Sequence, residues 1–141
     1  MNVDRLRAKH ALQAVQGLPT EVKKYTSYAK GLPASILQNG LGQAMATLLA
    51  AAKGEPAFRD GAVHEAHRLL YDHVQDWLCR SDPLAPYQTE RGPGSNSTIL
   101  MEKIVENGEA DYLWAQAEAL AYLSWLKKFA VAFRSEKGGN P

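Results

Sequence analysis

The chain has 141 residues, of which 45% are hydrophobic and 22% charged, with a formal net charge of +1 and a single cysteine, Cys79. A length of this order supports one domain with one core, and the composition excludes a disordered or fibrous chain. One cysteine excludes an internal disulfide, no leader-like start is present, and no window reaches the roughly 18 uninterrupted apolar residues of a bilayer span, so a cytoplasmic protein with no membrane role is expected.

The charge is unevenly placed. Residues 1–30 carry six lysines and arginines against two acids, a net +4, and residues 127–141 carry four against one, a net +3. The segment between them therefore holds −6, which points to a basic side and an acidic side on one molecule.

No segment alternates with the period of a strand, whereas apolar spacings of three and four recur throughout, so the chain reads as all-α: a compact bundle of about six helices in a single domain over 1–141. The first helix opens near Asn2 or Asp4, carries Leu6, Ala8, Leu12 and Val15 along one line, and ends at Gly17 and Pro19. A second starts at a Thr20 cap, places Val22, Tyr25 and Ala29 inward, leaves Lys23, Lys24 and Lys30 outward, and stops at Gly31.

Pro33 suits the first turn of a third helix, whose core line is Leu37, Leu41, Ala44, Leu48 and Ala52. Gly40 and Gly42 lie inside this apolar run, where each costs about 1 kcal/mol relative to alanine. Close packing against a neighbouring element is expected to compensate for them. Asn39-Gly40 is also a turn signal, and a break there is the alternative to the continuous helix that the apolar pattern on both sides favours.

The fourth helix begins after Asp60 or Gly61, buries Val63, Ala66, Leu70, Val74, Trp77 and Leu78, and ends near Ser81, Asp82 and Pro83. Residues 82–97 hold three prolines and two glycines and read as a structureless, flexible loop, while 135–141 reads as a frayed tail. Ser97 or Thr98 caps a short fifth helix with Ile99, Leu100, Ile104 and Val105 apolar, closed by Asn107-Gly108. The last helix spans about 110–134, and its second half, ALAYLSWLKKFAVAF, is apolar nearly all the way round. Such a helix is either central to its bundle or covered on its far face by a partner.

Residues with catalytic potential cluster only on the fourth helix: His64, Glu65, His67, Asp72, His73, Asp76 and Cys79. A zinc-protease helix needs histidines four apart, and His64 and His67 are three apart, so solvated histidines with His67 at the core edge are expected and no metal or other cofactor is implied. GPGSNST lacks the strand and lysine of a phosphate-binding loop, no serine sits in a nucleophile elbow, Cys79 has no activating context, and His10 reads as solvated. No active site emerges, and the expectation is a protein that is not an enzyme. What remains is a basic surface in which Lys127, Lys128, Arg134 and Lys137 surround Trp125, Phe129 and Phe133. Helical cations contact phosphates without reading sequence, and an aromatic ring can stack an unpaired base, although core packing is the simpler role for these rings.

The run YAKGLPASILQNGLGQAMATLLAAAKG resembles the middle segment of the small helical subunit of type III-B CRISPR effector (Cmr) complexes. The elements that carry the likeness are Arg5 to Ala11, Tyr25 to Pro33 and Ile36 to Leu41, and AEALAYLSWLKKFAVAF is similar to that family's closing helix, leaving out the variable 57–99 region. The resemblance implies a non-catalytic scaffold subunit of an RNA-guided ribonucleoprotein in antiviral defence. Its partners would be CRISPR RNA and target RNA through backbone contacts, other Cmr subunits, and copies of itself stacked along the complex. By the same resemblance, Arg5, Lys9, Lys23, Lys24, Lys30, Lys127, Lys128 and Arg134 supply the nucleic-acid-binding contacts. Two competing readings are a helical adaptor that binds only protein and oligomerises through its last helix, and a metal-dependent hydrolase using His64, His67 and Asp72.

Overall fold

The computed structural model describes residues 2–20, 22–53, 66–94 and 97–134, and among these residues every regular element is a helix. In chain order they are α1 (Val3–Gln16), α2 (Tyr25–Asn39), α3 (Leu41–Lys53), α4 (Ala66–Leu78), α5 (Ile99–Glu106) and α6 (Glu109–Phe133). The expected all-α bundle of six helices is therefore observed. The expected starts of the fourth helix, along with Val63, His64 and Glu65, fall outside the described residues, as does the 135–141 tail.

Helix α6 is the central one, with α1 and α2 packed along it and α4 behind. Its inner face presents Ala115, Ala119, Tyr122, Leu123, Leu126 and Ala130 at helical spacing, all fully buried. Helix α2 runs antiparallel to it. Thr26 at the start of α2 donates its hydroxyl to Arg134 O at the end of α6 (2.7 Å), while Leu41 N–H, just past the end of α2, donates to Gln116 Oε1 near the start of α6 (2.8 Å).

Two helix boundaries differ from expectation. The second helix does not begin at Thr20 or stop at Gly31; it starts at Tyr25, after a turn in which Lys24 takes a left-handed φ of 70°, and runs through Pro33 to Asn39. The third helix is not continuous across Gly40. One cause explains both shifts: Tyr25, Ala29, Leu32 and Ile36, spaced four, three and four apart, form an uninterrupted buried line, and keeping it helical outweighs the hydrogen bond that Pro33 cannot make. The break is then displaced to Gly40, whose φ of 88° and ψ of 158° lie in a region open essentially only to glycine. Because the phase resets there, Leu37 is not a core residue as the unbroken register required. It is 71% exposed, while Ile36 takes the buried position.

The joint is a single residue. Gly40 N–H closes α2 on Ile36 O (2.7 Å), and Gly40 O accepts Ala44 N–H (3.0 Å) to open α3. Two of the N–H groups left free at the start of α3 are satisfied from α6, by Gln116 on Leu41 and by the Tyr112 hydroxyl on Gly42 (2.9 Å). A Cβ at Gly40 would stand 3.0 Å from that hydroxyl, so Gly40 is the close-approach glycine. At Gly42 the nearest atom would be Ile104 Cγ2 at 3.6 Å, an ordinary contact, and the tight packing expected of both glycines holds for Gly40 alone.

The connection read as structureless is built of turns over residues 82–94. Tyr87 N–H bonds to Leu78 O (3.1 Å) and Thr89 N–H to Arg80 O (3.1 Å), folding the segment back onto the end of α4. Ala85 and Tyr87 are buried there, and their apolar surface supplies the reason for the fold-back.

Candidate nucleic-acid interface

Of the eight cations nominated from sequence, the structure gathers three. Lys30 projects from α2 and Lys127 and Lys128 from α6, and because the two helices are antiparallel these residues meet across a groove of about 380 Å³ floored by Val131 and Ala132. Lys30 and Lys128 are exposed and Lys127 is half-buried. None of the three is ion-paired among the described residues, so their ammonium groups are available to an anion. The floor carries no titratable group. The pairing of Lys30 with Lys127 and Lys128, nearly 100 positions away, had no signal in the sequence, whereas Val131 follows Lys127 and Lys128 at helical spacing and was findable.

Arg5, Lys9, Lys23 and Lys24 are exposed but do not line the groove. Arg5 and Lys9 lie one turn apart on α1, and Lys23 and Lys24 lie in the turn before α2. Arg134 is engaged elsewhere. Its guanidinium donates to Pro19 O (2.5 Å) and Val22 O (3.0 Å), tying the end of α6 to that turn.

A second polar set lies inside the bundle, and sequence reasoning missed it. Glu118 on α6 is only 6% exposed and accepts Arg7 Nε (2.5 Å), Arg7 Nη2 (2.9 Å) and Trp77 Nε1 (2.9 Å). Burial alone pushes its carboxyl up, and the hydrogen bonds from Arg7 and Trp77 more than offset this, leaving it below the ordinary range. Asp4 is likewise held low, first by the indole N–H of Trp125 (3.0 Å) and then by Arg7 (2.9 Å). Trp125, stacked on Phe129 at 5.6 Å, is thereby committed to the fold. Phe133 is the aromatic left outside, 62% exposed.

The histidines correct the expectation of solvated rings. His10 sits between the Tyr122 hydroxyl (2.7 Å) and Asp76 (2.6 Å), and His73 Nδ1 bonds the Tyr25 hydroxyl (2.6 Å). His67 stacks on Tyr28 at 3.8 Å, at the core edge as expected. Among the described residues no group of three or more histidines, cysteines and acids is placed to hold a metal ion. Burial pushes Cys79 up to about 12, so its thiol stays protonated at neutral pH.

Burial also pushes His73 down, to about 4 from an ordinary 6.5, with His10 adding to the effect and Asp76 opposing it. Between those values the unfolded chain binds the proton and the folded chain does not, so stability falls as pH drops from 6.5 towards 4. Asp4 and Glu118, both held low, subtract further stability only below the ordinary carboxylate range. Urea denaturation at pH 7 and pH 4.5 is expected to show this loss in the wild-type chain and a clearly smaller one in His73→Gln. Equal losses in the two proteins would remove His73 as the source.

Among the described residues no helix is long and apolar enough to cross a membrane. The described residues form a small all-α bundle that carries a lysine groove between its second and last helices. Residues 3–133 match the family model described as CRISPR-associated protein (Cas_Cmr5). The chain belongs to that family, whose members are subunits of the type III-B Cmr complex.

Proposed function

We propose that the protein is a non-catalytic structural subunit of the Cmr ribonucleoprotein, repeated along the complex in antiviral defence, and that it holds the sugar-phosphate backbone of guide or target RNA. The observation that carries this reading is the groove of Lys30, Lys127 and Lys128. Three ammonium groups from two rigid helices attract successive phosphates, and the apolar floor offers no donor or acceptor that would read a base. Exposed Arg5, Lys9, Lys23 and Lys24 add to the positive field of the molecule, as does Arg134 while its donors hold the carbonyls of Pro19 and Val22.

If the groove neutralises roughly three phosphates of a single strand, log affinity falls against log salt with a slope of about −2. Replacing Lys127 and Lys128 with alanine is expected to flatten that slope to about −0.7. Binding should weaken to a similar degree for unrelated single-stranded RNAs. An unchanged slope would remove this pair from the interface. Cleavage of RNA by the isolated chain, abolished by a single substitution, would overturn the non-catalytic assignment.

A further inference from the structure

Among the described residues two buried side-chain polar atoms lack a hydrogen-bond partner, Arg80 Nη2 and the Tyr87 hydroxyl, and both stand where residues 82–94 meet the end of α4. Buried polar atoms are almost always paired, so two exceptions in one junction call for a physical reason. Burial pushes the Tyr87 phenol up to about 12, so at neutral pH it keeps its proton and is a donor with no acceptor. The Arg80 guanidinium lies 3.6 Å over the Trp77 ring and spends Nη1 on Trp77 O, which leaves Nη2 unused.

The attachment of this segment is narrow. Tyr87 N–H donates to Leu78 O (3.1 Å), Thr89 N–H to Arg80 O (3.1 Å) and Gln88 Nε2 to Ser81 O (2.8 Å), so its anchoring bonds reach a stretch of only four residues, 78–81. The Thr89 hydroxyl divides its one proton between Cys79 O (3.2 Å) and Arg91 O (2.6 Å). Ala85, Pro86 and Tyr87 are its buried residues, and the others are exposed or half-buried. Within itself the segment is tied at Asp82, whose carbonyl accepts Ala85 N–H (2.9 Å) and whose carboxylate accepts Leu84 N–H (2.8 Å). It ends on Gly92, Pro93 and Gly94, and a Cβ at Gly94 would meet nothing within 4 Å. The segment is therefore organised internally, held along one edge and bounded by a glycine in open space.

We propose that residues 82–94 form a strap that opens as a unit while the six helices stay folded. Closed, it caps the end of α4 and leaves two polar atoms unpaired. Open, the Tyr87 hydroxyl and the Arg80 guanidinium regain hydrogen bonds to water, which offsets part of the apolar surface that Ala85, Pro86 and Tyr87 then expose. This balance places opening well below global unfolding in free energy. Opening also releases the carbonyls of Leu78, Arg80 and Ser81 together, so the end of α4 becomes an acceptor surface for a neighbouring molecule while the core is untouched. The lysine groove lies on α2 and α6 and takes no part.

Native-state hydrogen exchange of the full chain, followed by NMR from 0 to about 1 M urea, tests the proposal. The Tyr87 and Thr89 amides are expected to be protected about 100-fold less than those of Leu123 and Leu126 in α6, with a much smaller urea dependence, because opening exposes little surface. Tyr87→Phe keeps the ring and removes the unpaired hydroxyl, and is expected to raise the protection of the Thr89 amide about tenfold. Tyr87 and Thr89 amides that share the protection and urea dependence of α6 would mean that strap and bundle unfold together, and would overturn the proposal. Protection that Tyr87→Phe leaves unchanged or lowers would overturn it equally, since the hydroxyl would then be satisfied in the closed strap. No RNA is present in this experiment, so its outcome is independent of the RNA-backbone reading.

Discussion

Arg7→Ala is expected to destabilise the fold by about 3–5 kcal/mol, the cost typical of leaving a buried charge unpaired. Arg7 meets Glu118 through two nitrogens and Asp4 through a third, and after the substitution the Glu118 carboxylate keeps only the indole N–H of Trp77. The carboxylate is nearly inaccessible behind Arg7, and no side chain among the described residues besides Arg7 and Trp77 is hydrogen-bonded to it, so water entering the vacated space is the one replacement for the lost donors. For a chain of this size the melting temperature should fall by roughly 8–15 °C. The double variant Arg7→Met/Glu118→Leu is expected to regain much of the loss, because it removes both charges from the interior. A melting temperature within about 2 °C of wild type for Arg7→Ala would show that Glu118 is solvated after all.

Gly40→Ala is expected to cost about 2–4 kcal/mol, combining the strain of a side chain at a conformation that glycine alone adopts freely with displacement of the Tyr112 hydroxyl. The added Cβ would stand 3.0 Å from that hydroxyl, which caps the first turn of α3 through Gly42 N–H. The informative comparison is with its neighbours. Gly31 lies within α2, and a Cβ there would meet nothing inside 4 Å, so Gly31→Ala should stabilise by about 0.5–1 kcal/mol through helix propensity. Gly42→Ala, in α3 with an ordinary contact to Ile104, should be close to neutral. Denaturant midpoints for the three variants give the order Gly31→Ala, Gly42→Ala, Gly40→Ala from most to least stable. If Gly40→Ala matched the other two, Gly40 would not be the joint between the helices.

The same two sites mark the boundary of what one-dimensional reading reaches. Glu118 was visible only as an interruption of an apolar run, and its partners lie 111 positions away for Arg7 and 41 for Trp77. No local spacing announces such a pairing. At Gly40 the turn signal was legible, and the apolar pattern on both sides argued against using it. The structure accepts the proline inside α2 and breaks at the glycine, because the buried line from Tyr25 to Ile36 is worth more than one hydrogen bond.

The sequence by itself determined the helical class, the six segments and the resemblance confirmed by the family match, because periodicity and local motifs are carried by neighbouring residues. It also determined that the positive charge lies at the two ends of the chain. Only the tertiary structure decided which of those charges act together. Packing α2 antiparallel on α6 joins Lys30 to Lys127 and Lys128, commits Arg134 to the carbonyls of Pro19 and Val22, and leaves Leu37 outward. Those outcomes depend on where distant segments meet, and that is set by burial of the shared core rather than by any residue's own neighbours.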